Sequence, residues 1–211
     1  YNQLGYDDNT ITGVTVASKT PGTYANGIRV AIIDAKADQV LTVSGISTVG
    51  LGITQSAAGR ILAGAGGTSV LDGYIKGIVT EVGSGTISVK TLAHVSTAGT
   101  VTNVNYQNGG VYNFATGNIS ATPAGSNVGG TAQSVTAAVD WFEQQNIVLT
   151  QTDANGNPIS LEWDQLADRP STSTYAAARG GRFDELHVVV IDDKGTITGN
   201  AGTILEKHLN L

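Results

Sequence analysis

Cysteine and methionine are both absent from this 211-residue chain, proline occurs four times, tryptophan twice and phenylalanine three times. The lack of Cys excludes disulfides and thiolate metal sites, and it leaves the redox compartment open, because such a chain folds equally well in reducing or oxidising surroundings. Charged residues make up 13% of the chain, about half the usual share. Its 11 Lys and Arg are scattered and outnumbered by 17 Asp and Glu, for a net charge of -6. Binding a phosphate backbone takes a concentrated basic surface, so no nucleic-acid partner is expected. No segment approaches the roughly eighteen consecutive apolar residues of a spanning helix, and no charged start precedes an apolar signal segment, so membrane insertion is not expected either. With no Met, a start on Tyr1 and an apolar, uncapped ending ILEKHLNL, the chain reads as an excised piece of something longer.

What is plentiful is glycine. Its 28 residues are roughly double the average usage. With abundant Thr, Val, Ser and Ala they indicate a β-rich, turn-dense protein, and 40% hydrophobic content is too high for a disordered chain. After a polar, turn-like start, a short strand is expected over residues 11–17. The segment SKTPGTYANG then supplies Pro21-Gly22 and Asn26-Gly27 turns before the alternating strand Ile28–Asp34 and a second strand at Gln39–Val43.

Beyond residue 44 glycine accumulates and charges appear singly. Strands are expected at 73–82, 86–92, 101–106 and 111–115, separated by turns at 83–85, 97–99 and 108–110. Residues 120–130 read as a linker. After them Val135, Ala138, Val139 and Phe142 fall at helical spacing, which predicts a helix with Thr131 as its N-cap. A strand at 147–151, the turn DANGNP at 153–158, a strand through Trp163 and a hairpin turning at Asp193-Lys194-Gly195 complete the chain. The expected fold class is α+β, mainly antiparallel β with a few helices. A Gly-rich all-β barrel or sandwich at 45–130 is inserted into an α+β domain made of 1–44 and 131–211.

The search for chemistry centres on residues 168–195. Asp184, Glu185 and His187 are the raw material of acid-base or metal chemistry. On a strand, though, Glu185 and His187 share one face and Asp184 takes the other, so a locally bonded structural corner is favoured. Asp153, Asn155 and Asn157 have the start of a calcium loop, but Pro158 stands where glycine is needed and Asp164 where glutamate is needed, which leaves a hairpin turn. The Gly-rich run at 59–69 has no phosphate-loop lysine, no G-x-S-x-G elbow is present, and His94 and His208 lack neighbours in sequence. Trp141, Phe142, Trp163, Tyr175 and Phe183 suit core packing better than a carbohydrate platform. No enzymatic activity, cofactor or metal is expected.

One resemblance does emerge. The stretch DQLADRPSTSTYAAARGGRFDELHVVVIDDKGTITGNAGTILEK resembles the tail sheath proteins of contractile-tailed bacteriophages of the large myovirus type. It carries the Arg-Pro turn at 169–173, an alanine-rich segment at 175–181, Asp184-Glu185, a hydrophobic strand ending at Asp192, Thr198-Gly199, and Leu205 to Lys207. Ser171 stands where the family often has Gly. SKTPGTYANGIRVAIID is similar to the family's lead into the same domain, and the Gly-rich middle matches nothing comparable.

The resemblance implies a structural subunit of the virion tail sheath, assembled in the host cytoplasm. Its partners would be other sheath subunits, the tail tube and the baseplate, and contraction would drive the tube through the host envelope during genome delivery. An outer domain inserted into a middle domain is the family's arrangement. The subunit-linking inner domain would be missing from this piece, which by itself would be monomeric. Arg169, Arg179, Arg182, Asp184 and Glu185 are the candidate subunit contacts, with the holding of their own turn the favoured alternative. Two other functions compete: an adhesin-like or receptor-binding β-domain of a phage or bacterial surface protein, and, third, a surface hydrolase.

Overall fold

The computed structural model describes residues 8, 16–18, 22–61, 69–104, 112–123 and 130–211. Strand makes up 47% of it, helices are few, and the α+β class with an all-β barrel is what the chain adopts. A 3-10 turn, Thr23–Gly27, leads into β1 (Ile28–Asp34). The closed barrel follows: β2 (Gln39–Val43), β3 (Gly52–Ser56), β4 (Tyr74–Val82), β5 (Thr86–Val95), β7 (Gly117–Thr122) and β8 (Thr131–Asp140). Around the barrel the order is β2-β8-β7-β3-β4-β5, β5 pairs back onto β2, and the short β6 (Val101–Asn103) hangs on the outside of β5. Closure removes the free edges that a sheet of this size would otherwise expose.

The rest of the chain builds a smaller body. β9 (Asn146–Thr152) and β10 (Pro158–Glu162) form a hairpin, and β1 pairs with β11 (Leu186–Asp192), which pairs with β12 (Thr203–His208). Two single-turn helices, α1 (Trp163–Leu166) and α2 (Thr174–Ala177), sit between β10 and β11. Alternation along the strands sorts the side chains into two cores. Leu41, Val43, Ile53, Ile75, Ile87, Val89 and Val135 fill the barrel with Phe114. Ile33, Trp141, Phe142, Trp163, Val189 and Ile191 fill the body.

The barrel is closed at one place by backbone held on side-chain amides. The Gln39 amide donates to the carbonyl of Phe114 at 2.9 Å and accepts its N–H at 2.7 Å. Gln55 does the same for Ala115, at 2.7 and 2.8 Å. Each glutamine thus substitutes for a strand neighbour, and Phe114 is drawn into the core. Gly77 makes room for it, since a Cβ there would lie 2.7 Å from the Phe114 ring and 2.8 Å from the Lys90 carbonyl oxygen.

Several sequence expectations change. The helix expected after residue 131 is the ten-residue strand β8, and Thr131 is its first residue rather than a helix N-cap. The physical reason is a bulge. Ala137 pairs with Thr42 but Val135 pairs with Val43, so Thr136 is the extra residue and the parity of the strand flips. Val135 and Ala138, three apart, therefore both face the barrel core, which imitates helical spacing. Tyr112 to Ala115 is turn and coil rather than strand, and Trp163 opens α1 instead of ending a strand. The turn expected at 193–195 is a connection from 193 to 202. The strands β3 and β7 were not anticipated in place. The strand expected over 11–17 and the turn at 108–110 lie outside the described residues, apart from 16 and 17, which are not strand. The barrel's staves run from Gln39 to Asp140, so β2 and β8 belong to it although they flank the expected 45–130 insertion.

The bulge yields a direct test. Val135→Ala should cost about 1.5–3 kcal/mol, the value of a buried valine, while Val139→Ala, on the exposed face, should change stability by less than about 0.5 kcal/mol. Equal losses in denaturant melts would restore the helical reading.

Candidate functional site

The Arg-Pro turn is a junction between barrel and body. Arg169 precedes Pro170, which disfavours helix at that position and leaves the chain extended. Its side chain, 6% exposed, forms an ion pair with Asp140 at the end of β8. It also donates to the carbonyls of Ala37 at 3.4 Å and Asp38 at 3.2 Å, just before β2. The same Asp140 carboxylate accepts the backbone N–H groups of Phe142 (2.8 Å) and Glu143 (3.3 Å), so from one residue before the N-cap Trp141 it holds the start of the 3-10 turn Phe142–Gln144. One arginine thereby ties together three segments far apart in sequence. Removing one partner of such a pair would strand the other charge in a poorly hydrated place.

Asp184 and Glu185 both reach back to the same turn. Glu185 accepts the Ser171 N–H at 2.9 Å. Asp184 accepts the Ser173 N–H at 2.9 Å and its hydroxyl at 2.6 Å, and these bonds hold its carboxyl below the ordinary value. Ser173 in turn caps α2, accepting the Ala176 N–H at 3.0 Å. His187, 1% exposed, accepts the Asn210 N–H at Nδ1 (3.1 Å), so its Nε2 is the donor to the Asp168 carbonyl at 2.8 Å. Both nitrogens are occupied by backbone, and the three side chains do not converge on a common point. Among the described residues no group of three metal-ligating side chains occurs.

The arginines divide. Arg182 donates to the carbonyls of Leu92 (2.8 Å) and Val104 (3.2 Å), joining the loop after α2 to the barrel. Arg179 instead stacks on Tyr175, 3.6 Å from the ring centroid, and donates to the Tyr175 carbonyl at 3.1 Å. Tyr175 is 68% exposed. Of the aromatic residues singled out in the sequence, Trp141, Phe142 and Trp163 are core, Tyr175 faces outward, and Phe183 lies over Lys90.

Other candidates resolve into turn chemistry. Asp153 accepts from the N–H of Asn155 and of Asn157 at 2.8 Å each, and from the Asn157 amide at 3.0 Å, which closes the β9–β10 hairpin. Asp192 accepts the N–H groups of Thr196, Ile197 and Thr198 at 2.7–2.9 Å and the Thr198 hydroxyl at 2.9 Å, so one buried carboxylate organises the loop before β12. Asp193 pairs with Arg29 at 3.0 Å and accepts the Thr150 N–H at 2.8 Å, binding the three-stranded sheet to the hairpin. The described residues that line a surface depression beside β1, namely Val16, Ala17, Ser18, Ala25, Ile28 and Val30, carry no ionisable side chain.

Sequence reasoning missed Asp38, Lys90 and Asp140, because Lys90 is a single charge in a β-branched run, Asp38 is the last of the alternating charges Asp34, Lys36 and Asp38, and Asp140 falls on the polar side of the expected helix. Asp38 accepts the Thr91 N–H at 2.8 Å, and burial pushes its carboxyl above the ordinary value. No described helix is long and apolar enough to cross a membrane. No family model, no curated protein and no solved structure matches the chain.

The anchoring carboxylates set the acid behaviour. For Asp192 and Asp193 burial favours the neutral form, but the donors around them, Thr198 and Ile197 for the first and Thr150 and Arg29 for the second, outweigh it. Both carboxyls therefore lie below 3.8. A depressed folded pKa contributes stability that is complete above 3.8 and is lost as pH falls through the lower, folded value. Asp192→Asn should lower Tm at pH 7 and flatten the loss of Tm below pH 4. An unchanged acid slope in that variant would remove Asp192 as the loop's anchor.

Proposed function

We propose that the chain is part of a tail sheath subunit of a contractile-tailed bacteriophage, which polymerises around the tail tube with other copies and contracts to drive the tube through the host envelope. The observation that carries this reading is that its separate sequence elements fold into one unit. The Arg-Pro turn, the capped α2, Asp184-Glu185 and β11 are bound to one another through Ser171, Ser173 and the Asp168 carbonyl. Their joint presence in the sequence thus has a structural reason, as a motif should. A machine of this kind stores its energy as the difference between two packings of one polymer and needs no bound nucleotide.

On this reading the five charged candidates take different roles. Arg169, Asp184 and Glu185 hold barrel, turn and sheet in a fixed relation, so that force applied to one part reaches the others, and Arg182 fastens the loop after α2 to the barrel. Arg179, stacked on the exposed Tyr175, is then the proposed contact with a neighbouring subunit, a reading its exposure supports. A rigid aromatic beside a guanidinium is the composition that interfaces favour.

Expression of the complete gene encoding this chain should give long striated tubes of uniform width in negative stain. Arg179→Glu should reduce tube yield by about tenfold or more at unchanged Tm, because charge reversal at a contact weakens association without touching the core. Soluble particles that bind cells or glycans and never form tubes would overturn the proposal in favour of a receptor-binding protein.

A further inference from the structure

Lys90 stands out among the charged side chains. It lies on β5 between Val89 and Thr91, and alternation turns it away from the barrel interior, where Ile87 and Val89 pack. The outer face it joins is covered by the loop after α2, so Lys90 is only 7% exposed. Its amine has no hydrogen-bond partner among the described residues and rests 3.8 Å from the centroid of the Phe183 ring. Phe183 in turn has a backbone φ of 61°, left-handed in a residue with a bulky side chain. Two unfavourable features, a poorly hydrated cation and a strained backbone, thus meet at one contact.

We propose that residues 180–183 form a strap that clamps the barrel to the body and opens as a unit, withdrawing the Phe183 ring from Lys90 and exposing the lysine amine to water. The loop has the parts this requires. Gly180, at φ +72° with open space around it, and Gly181 provide the pivot on one side. On the other, Asp184 and Glu185 are fixed to Ser173 and Ser171, so motion ends there. The closed position is held by the bonds from Arg182 to the Leu92 and Val104 carbonyls and by the Phe183 N–H to the Thr172 hydroxyl at 2.9 Å. Closing is thus supported by three hydrogen bonds and by the attraction of the Lys90 ammonium for the Phe183 ring face, and opposed by the desolvation of that amine and the strained residue, a balance that suits a two-position element. The inference does not depend on the sheath reading.

Protonation couples to the clamp. Burial pulls the Lys90 amine down to about 8 from the ordinary 10.5; Asp38 and Asp34 act to raise it, and Arg169 and Arg182 act with burial to lower it. With the strap open the amine is hydrated and returns toward 10.5. A lowered value in the closed form means that closing is resisted at and below pH 8 and favoured progressively from there to 10.5, tenfold per pH unit.

The experiment follows the Lys90 ε-methylene and the Phe183 ring carbons by NMR relaxation dispersion in the full chain. At pH 7 both sites should show exchange with one common rate, and at pH 9.5 the open population should fall by about tenfold or more. Lys90→Met should abolish the pH dependence and raise Tm. Phe183→Gly, which removes both ring and strain, should return the Lys90 titration toward 10.5 while barrel resonances stay in place. The proposal is overturned by absent or unrelated exchange at the two sites, by a Lys90→Met protein that keeps the pH dependence or melts lower, or by a Lys90 titration in Phe183→Gly that stays near 8.

Discussion

The strand β2 is a wall shared by two cores, and the rest of the molecule depends on its parity. Leu41 and Val43 point into the barrel while Val40, with Ala37 just before it, packs against the body's cluster around Trp141 and Trp163. A side-chain period of two makes this unavoidable once one face is assigned, and a slip of one residue would exchange the contents of both cores. Gln39 fixes the register further, because its amide is committed to Phe114 and can reach it only from the barrel side. Five residues therefore set the relation between the closed barrel and the three-stranded sheet.

Polar groups complete what this wall begins. Arg169 holds the Ala37 and Asp38 carbonyls just upstream of β2 and the Asp140 carboxylate at the end of β8, the two strands being neighbours in the barrel. Arg182 holds carbonyls at the end of β5 and beyond β6. In both cases a guanidinium adds a donor to backbone oxygens, of which Asp38 already accepts the Trp141 N–H and Leu92 the Val104 N–H, and a planar group with several donors serves such paired carbonyls better than an ammonium. Lys90, without an acceptor among the described residues, is the contrasting case. The same burial that strengthens the arginine contacts leaves this amine poorly hydrated.

The body follows a different economy, in which carboxylates gather backbone N–H groups. Asp140, Asp153, Asp184 and Asp192 each close a turn in this way. Their anchoring turns loops into fixed connections, so the elements proposed to carry load in a sheath are bound by bonds that salt screens weakly where they are buried. The glycines serve the same end by allowing close approach, as Gly77 does beneath Phe114.

Local pattern alone determined the β-rich class, the strands Ile28–Asp34 and Gln39–Val43, the hairpin turn at Asp153 and the buried strand before Asp192, because each is written in a short alternation or a turn dipeptide. It also marked Asp184, Glu185 and His187 as a structural corner. Tertiary structure alone decided three things. β8 is a strand because pairing with β2 and β7 outweighs a helical spacing that a bulge happens to imitate. The barrel closes because β5 meets β2, residues some fifty positions apart, and no local pattern encodes that contact. The partners of Arg169, Arg182 and Lys90 were invisible for the same reason: a charge's role depends on what is brought beside it, and a hydrogen bond such as that from Arg169 to Ala37, spanning 132 residues, is a property of the folded chain.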